Sequence, residues 1–444
     1  MSRCRQIAVL TATAISAAAL GSPAFASEPP AEPNRAAVRV IEAGSSDVEA
    51  EQATGSTAAT SEETSAQSRI QPVSPAFSAR GEDLPDFMLG GFAEATAAFS
   101  DRESGSGAGF FSTSFNPALF VRFRDFLLFE SELEISVTDD GDTEAVLEYG
   151  QFDLLLHDNL VLVFGKFLSP VGQFAERLHP AWINRLPNTP AGFGHDGLQP
   201  GAEVGVQARG GVQAGRSRFT YALAIGNGPR LMEDGALDQA GFGGDDNDDK
   251  AVSGRIGFLP VPHLEFGASF QTAKVRPMIG PEETMAAFAG STAAADPESM
   301  ASGPDTRFRL WGIDGAYTRG PWDIRVEFLR GTRESYTLGG SEPAIFPKMK
   351  LTAWYVQIAY QLSGITQKRI LQNLEPVVRY GEFTIKGMPE LAEENQEKRW
   401  DVGLNYWFSP AIVLHGALEH RNLTGREGGG RKDTRFLVQL GYGF

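Results

Sequence analysis

The residues of this sequence best suited to chemistry are polar and charged side chains gathered in one segment, residues 168–198. They are Glu176, Arg177, His179, Trp182, Asn184 and Arg185. Carboxylate, guanidinium, imidazole and amide groups at this density can attract and orient small ions. Trp182 is large enough to wedge the segment against a wall, and its four prolines restrict the backbone. The segment therefore predicts a stiff, charged constriction.

Other kinds of chemistry find little support in the chain. The only cysteine is Cys4, so catalytic thiols and cysteine-bound metals are not expected in the mature protein. His415 and Glu419 form the one histidine–carboxylate pair on a shared face, which is too few ligands for a zinc site. No phosphate-binding loop, nucleotide fingerprint or nucleophile elbow is present. We expect no catalytic residue, no metal and no cofactor, and hence no enzyme.

From Phe87 onward, apolar and polar residues alternate with a period of two. Val402 and Leu404 share one face of such a segment, while Asp401 and Asn405 share the other. The pattern predicts an all-β transmembrane antiparallel barrel of about 16 strands, within a range of about 14 to 18. The predicted strands are 88–99, 110–124, 126–138, 143–156, 159–167, 199–214, 216–226, 250–258, 262–274, 306–318, 320–331, 349–363, 374–385, 397–409, 411–421 and 433–444.

The connections between these strands differ in length in a regular way. Those after even-numbered strands are short, as periplasmic turns are. The long polar segments, 168–198, 227–249, 275–305, 332–348, 386–396 and 422–432, all follow odd-numbered strands, as extracellular loops do. Residues 364–373 break the rule, because they follow an even-numbered strand and are too long for a tight turn. The fourth strand alternates poorly, because strict alternation would put Glu148, Tyr149 and Asp153 on conflicting faces. This predicts a β-bulge or a miscount of two strands.

Alternation also occurs in β-sandwiches, so three further details are needed to place the apolar face against lipid. Aromatic residues gather at strand ends, the opposite face carries charges in mid-strand, and connection length alternates. A water-filled lumen tolerates such charges where a dry core would not. The residues predicted to face the lumen are Lys166, Arg122, Arg209, Arg218, Arg255, Arg325, Arg379, Arg435, Glu132, Glu203 and Glu327. Further residues predicted to face the lumen are Arg124, Arg399, Arg421, Glu94, Glu130, Glu134, Glu265, Asp323, Asp401 and Glu419. With these included, arginines and carboxylates are about balanced, and weak ion selectivity is expected.

The two ends of the chain predict export to the outer membrane of a Gram-negative cell. Residues 1–26 have the basic, apolar and small-residue regions of a cleaved signal peptide. Residues 27–82 are rich in Ala, Ser, Glu and Pro and predict a disordered periplasmic leader, with the barrel at 83–444. The final strand carries Tyr442 and Phe444 on its apolar face, a predicted signal for the barrel assembly machinery.

Residues 165–172 (GKFLSPVG) resemble the phosphate-selective porin (porin O and P) family, in which a G-K-F strand end precedes a P-F-G-like turn. The strand rhythm and the terminal Phe444 resemble that family loosely. The resemblance implies a sixteen-stranded homotrimer with a basic lumen that passes phosphate or related anions, and it implies a lumenal position for Lys166. Val171 departs from the family's usual aromatic residue. In general porins the third extracellular loop, here 168–198, folds into the lumen; a surface loop over the mouth is the alternative.

These observations predict a porin, a water-filled channel for passive diffusion of small hydrophilic solutes, with anions such as phosphate among them. The alternatives are a structural or adhesive barrel and a lipid-modifying barrel enzyme. Outer-membrane lipids and lipopolysaccharide are the expected surroundings. Nucleic acid is not an expected partner, because the formal net charge is −17.

Overall fold

The structure is a computed structural model that describes residues 85–100, 110–137, 141–194, 197–232, 236–241, 247–276, 278–279, 301–302, 305–338, 344–387, 394–425 and 430–444. The predicted signal peptide and leader lie outside these residues and stay predictions. Within the described part of the chain, no helix is long and apolar enough to cross a bilayer.

Sixteen strands form one closed antiparallel barrel, in which each strand pairs with its neighbours in sequence. They are β1 (Asp86–Ser100), β2 (Phe110–Phe123), β3 (Leu127–Val137), β4 (Thr143–His157), β5 (Leu160–Leu168), β6 (Ala202–Ala214), β7 (Ser217–Gly226), β8 (Ala251–Val261), β9 (Leu264–Val275), β10 (Thr306–Arg319), β11 (Trp322–Arg333), β12 (Met349–Tyr360), β13 (Leu374–Lys386), β14 (Glu394–Ser409), β15 (Ile412–Thr424) and β16 (Arg431–Gly443). The predicted fold class and strand number are confirmed.

The barrel closes where β16 pairs with β1. The Gly91 amide donates to the Phe444 carbonyl (3.1 Å), and the Phe444 amide donates to the Gly91 carbonyl (3.0 Å). Gly91 has φ +137°, and a Cβ there would lie 2.1 Å from the Asn116 carbonyl oxygen, so only glycine fits this crossing. The Phe444 ring stacks on Phe115 with a centroid distance of 5.8 Å. No sheet edge is therefore left open along the wall.

The two faces of the wall follow the period-two pattern. Val402 and Leu404 on β14 point outward and are exposed, whereas Asp401 and Asn405 on the same strand point inward and are buried. The same alternation of burial recurs on the other strands, so the outer surface is mainly apolar and the inner surface is mainly polar. The exception is the stretch of β10, β11 and β12 nearest the long connections, where apolar residues such as Phe308, Leu310 and Leu329 face inward. Such an outer surface suits hydrocarbon, and such an inner surface suits water and ions.

The fourth strand contains the β-bulge that its sequence predicts. Glu132 pairs with Tyr149 and Leu133 pairs with Leu147, so that Glu148 has no partner in the register. Glu148 and Tyr149 are both buried on the inner side as a result. The bulge thus adds one carboxylate to the lumen without changing the strand number.

Connections at one end of the barrel are tight, and those at the other end are long. The tight end has one long member, residues 361–373, which contains two short 3-10 turns at Leu362–Gly364 and Leu371–Asn373. Three long connections contain a small two-stranded sheet each, formed by residues 230–231 with 237–238, 278–279 with 301–302 and 336–338 with 344–346. A barrel with this asymmetry has its long connections outside the cell.

Candidate functional site

The connection between β5 and β6, residues 169–201, lies inside the barrel and is called the lumenal loop here. Val171, Leu186 and Leu198 of this loop are completely or almost completely buried. It contains a five-residue π-helix, Phe174–Leu178. Apolar side chains of the loop belong to one buried cluster with inward-facing residues of six wall strands, β1, β9, β10, β11, β12 and β15. The loop consequently narrows the lumen.

Two neighbouring polar residues show that the loop crosses from one wall to another. The Arg177 guanidinium donates to both carboxylate oxygens of Glu265 on β9, at 2.9 Å each. Two residues later, Nε2 of His179 lies 3.7 Å from the Glu132 carboxylate on β3. Five strands lie between β3 and β9 in a barrel of 16, so this stretch spans the interior. Arg177, His179 and Glu176 remain partly exposed, with side-chain accessibilities of 28%, 26% and 30%.

Trp182 fastens the loop to the strand that closes the barrel. Its indole lies over Gly443 of β16, where an added Cβ would approach the ring to 2.6 Å. At Gly441 a Cβ would come within 3.2 Å of the Trp182 backbone nitrogen. Two glycines on the inner face of β16 therefore make room for this aromatic side chain.

Arg185 and Asn184 follow Trp182 in the loop and make two different kinds of contact. The Arg185 guanidinium lies 3.5 Å from Asp323 and 3.7 Å from Glu375, and it stacks over the Trp407 ring at 5.0 Å. Asn184 turns back into the loop and donates to the Asn188 carbonyl at 3.1 Å. Arg185 thus binds the wall directly, while Asn184 stabilises the loop's own conformation.

Asn188, which the sequence analysis did not single out, joins the loop to three wall strands. Its amide donates to Asp401 at 2.8 Å and to Glu419 at 2.5 Å. Arg379 donates to the Asn188 backbone carbonyl at 3.1 Å and also to its side-chain oxygen. These three partners lie on β14, β15 and β13. No local signal distinguishes Asn188 from other loop amides, because its role depends on residues about 190 to 230 positions away.

Glu327 on β11 binds the start of the lumenal loop. It accepts hydrogen bonds from the Gln173 amide at 3.0 Å, from Gln199 at 3.2 Å and from the Tyr355 hydroxyl at 3.4 Å. Gly172 has φ +76°, and a Cβ there would lie 1.9 Å from a Glu327 oxygen. The predicted lumenal Glu327 is therefore a buried anchor of the loop rather than a charge on the path.

Of the predicted lumen-facing residues, ten lie on the inner face of their strands and one does not. The ten are Arg122, Arg209, Arg218, Arg255, Arg325, Arg379, Arg435, Glu132, Glu203 and Glu327. Lys166 corrects the expectation taken from the family resemblance. It pairs with Gly150 and Val204. The next residue, Phe167, faces inward, so Lys166 lies on the outer face. Its Nζ donates to the Leu147 carbonyl at 2.6 Å.

Most of the inward arginines are neutralised by a neighbouring carboxylate. Arg209 lies 2.5 Å from Asp153, Arg255 2.6 Å from Asp314, Arg325 2.8 Å from Asp323, Arg379 3.0 Å from Asp401, Arg435 2.7 Å from Glu419 and Arg122 3.3 Å from Asp86. Arg218, near the tight-turn end, is exposed and makes no ion pair with a described residue. Glu203 is buried and accepts from Ser169 and Ser253. These ion pairs leave little uncompensated positive charge on the inner wall.

One sector of the inner wall is acidic and faces His179. Glu94, Glu132, Glu134 and Glu148 lie on β1, β3 and β4 and interact electrostatically with one another or with the imidazole. Burial alone would lower the pKa of His179, but the Glu132 and Glu148 carboxylates raise the pKa above the usual histidine value. The described residues contain no group of three or more His, Cys, Asp or Glu side chains arranged to hold a metal ion.

Residues 263–428 match a porin family. The match is to Phosphate-selective porin O and P, and it covers β9 to β15 and part of the following connection. The family resemblance predicted from the sequence is thereby confirmed for this part of the chain. The motif that suggested it, at residues 165–172, lies outside the matched range.

Several solved outer-membrane proteins are similar in fold to this porin-like chain. DcaP, an outer membrane channel of Acinetobacter baumannii, shares 12% identity over 83% of this chain and 100% of that chain, with a TM-score of 0.50. OmpF of Salmonella typhi, solved with daunomycin, shares 11% over 82% and 99%, with a TM-score of 0.50. In-vitro folded OmpT of Vibrio cholerae shares 11% over 84% and 100%, also at 0.50. Identities this low show the fold alone. No curated protein sequence matches the chain.

Proposed function

We propose that this protein is a porin of the Gram-negative outer membrane, which forms a water-filled channel for passive diffusion of small hydrophilic solutes and catalyses no reaction. The observation that carries the proposal is the crossing of the lumen between Glu265 and Glu132. There, Arg177 and His179 hold the loop on opposite walls while the Arg177 side chain stays partly exposed. A barrel with a charged, hydrated constriction selects solutes by size and charge.

The inner wall supports broad rather than strict solute selection. Phosphate and related anions are the solutes that the matched family's description names, and we include them among those that pass. The inward arginines are mostly paired with carboxylates, and the sector around Glu94 and Glu134 is acidic. An unbroken row of free cations, which a dedicated phosphate path would use, is not seen among the described residues. We therefore propose weak selectivity.

Assembly and location follow the same proposal. Export would use the signal peptide at 1–26, and the leader at 27–82 would lie in the periplasm. Tyr442 and Phe444 point outward at the tight-turn end of β16, where the assembly machinery could bind the last strand. A homotrimer in contact with outer-membrane lipids and lipopolysaccharide is the proposed form, since porin-like barrels with an exposed apolar surface need to cover it.

Planar-bilayer recording of the purified, folded protein tests the channel proposal. We expect stepwise conductance increases and, in liposomes, entry of small neutral sugars that falls off with sugar size. Heat-denatured protein is the matched control for detergent effects. A barrel that is folded by its heat-modifiable electrophoretic mobility but electrically silent would overturn the proposal. That result would favour a structural, adhesive or lipid-modifying barrel instead.

A further inference from the structure

Four exposed cations lie together on the outer face of the barrel, near the end with the long connections. They are Arg307 and Arg309 on β10, Arg330 on β11 and Lys350 on β12, and they are called the outer basic band here. Side chains alternate between the two faces along a strand. Phe308, between the two arginines, and Leu310, next to Arg309, are buried on the inner face, so both arginines point outward. The band is therefore on the surface that faces the membrane or its headgroups.

The register places the band side by side across three strands. Arg309 and Lys350 both pair with Thr332, and Arg330 pairs with Trp311 and Thr352. Neighbouring strands lie about 4.8 Å apart, so Arg309 and Lys350 are roughly 10 Å apart at the backbone. Flexible side chains of this length can bring their charges onto one headgroup from both sides.

Aromatic residues beside Arg330 and just below it mark the level of the membrane interface. Trp311, Phe328 and Trp354 are outward-facing residues of the same three strands, and Trp311 and Phe328 are in contact at a centroid distance of 5.3 Å. Toward the barrel middle the outer face becomes aliphatic, with Ile313, Val326 and Val356. Aromatic girdles sit at the boundary between hydrocarbon and headgroups, so the band lies at headgroup depth on the extracellular side.

None of the four cations has a protein partner among the residues that the structure describes. No side-chain hydrogen bond or ion pair joins Arg307, Arg309, Arg330 or Lys350 to another described residue. The inward arginines of the same barrel, by contrast, are mostly ion-paired.

The band occupies only one sector of the barrel. At the same end of β1 to β5 the outer face is mainly apolar, with exposed Phe99, Phe111, Leu133, Leu147 and Phe164, and its cation Lys166 is bonded to the Leu147 carbonyl. A general need for solubility at this end would not produce such a division. An apolar sector suits contact with another protein subunit, whereas a cationic sector suits lipid that carries anionic headgroups.

We propose that the outer basic band binds the phosphate groups of lipid headgroups in the outer leaflet, as in lipopolysaccharide. Arginine forms two parallel hydrogen bonds with a phosphate, and Lys350 adds a point charge. The site is separate from the channel lumen and requires only that the barrel lie in the membrane with its long connections outward. Channel activity is accordingly expected to survive its loss.

A triple variant with Arg309→Gln, Arg330→Gln and Lys350→Gln tests the site. The matched control carries Arg319→Gln, Lys368→Gln and Arg369→Gln, three exposed cations at the other end of the barrel. Binding of bis-phosphorylated lipid A to the detergent-solubilised full-length protein is measured by native mass spectrometry. We expect binding to weaken about 100-fold in the band variant, from roughly fivefold per cation, and to stay unchanged in the control.

Three results would overturn the proposal. They are equal lipid A binding by wild type and band variant, an equal loss in the control, and undiminished wild-type binding of dephosphorylated lipid A. Displacement of lipid A by millimolar inorganic phosphate would assign the band to a free anion and would overturn it as well. If the triple variant does not fold, the single variants Arg309→Gln and Lys350→Gln are each expected to lose binding about fivefold.

Discussion

Replacement of Arg177 by glutamine should make the channel prefer cations more strongly. Arg177 holds a partly exposed positive charge on the lumenal loop, and its partner Glu265 keeps a second cation, Arg255, at 2.9 Å. Glutamine keeps a hydrogen-bond donor, although on a shorter side chain. Contacts of Arg185, Asn188 and Gln173 with the wall remain, so the loop is expected to stay in place. The substitution therefore removes one positive charge from the constriction with little change in its shape.

The size of the effect follows from Coulomb's law with screening. A unit charge about 6 Å from a passing ion contributes about 0.7 kcal/mol in water, and about 0.4 kcal/mol at 0.1 M salt, where the Debye length is about 10 Å. This energy changes the local concentration of each ion about twofold, in opposite directions for cations and anions. The ratio of cation to anion permeability should then rise about fourfold.

Reversal potentials of the channel in a potassium chloride gradient measure this ratio. Glu176→Gln is the matched control, since Glu176 lies beside Arg177 with similar exposure and opposite charge. It should shift the ratio by a similar factor toward anions. Both shifts should nearly vanish at 1 M salt, where the Debye length is about 3 Å. Shifts of the same sign in the two variants, or none in either, would refute the placement of these charges at the constriction.

Three further substitutions test the loop and the wall. Asn188→Ala removes bonds to two carboxylates, each worth about 1.5–3 kcal/mol before rearrangement, so single-channel conductance should rise and become noisier while circular dichroism stays unchanged. The pKa of His179 is raised by Glu132, so its charged contact is complete below pH about 6.5 and is lost as pH rises through the folded value. As the pH rises through this range, channel noise should increase in the wild type and stay constant in His179→Gln. The imidazole is a quarter exposed, so its contact with Glu132 contributes less than about 1 kcal/mol. Lys166→Gln should leave ion selectivity unchanged, because Lys166 is on the outer face, and a fall in anion permeability would contradict that orientation.

The wall of this barrel could be predicted from its sequence because each residue's face depends on its own strand alone. Val402 and Asp401 differ by one position and so lie on opposite sides, whatever the rest of the chain does. Lys166 shows that a shift of one position along a strand changes the face on which a side chain lies. The family resemblance placed it in the lumen, yet parity with the buried Val163 and Phe167 places it outside. Local periodicity was the better guide at this position.

The site was less predictable, because its contacts join residues distant in sequence. Charge and proline content were enough to select Arg177 and Arg185, but their partners Glu265 and Asp323 follow only from the closed register. Asn188 has no local signature at all. The bulge at Glu148 could be anticipated as a conflict of faces, although the structure was needed to show that the conflict adds a lumenal carboxylate.

The contact of Trp182 with Gly441 and Gly443 has a consequence for biogenesis. The loop is connected to β5 and β6 in the first half of the chain, yet its seat is on β16, and His415 of β15 donates to the Ala181 carbonyl at 3.0 Å. The loop can bind there only after the final hairpin, some 230 residues further along the chain, has joined the barrel. Contacts between residues so distant in sequence form slowly. The part of the constriction around Trp182 is accordingly completed only when the final hairpin joins the barrel.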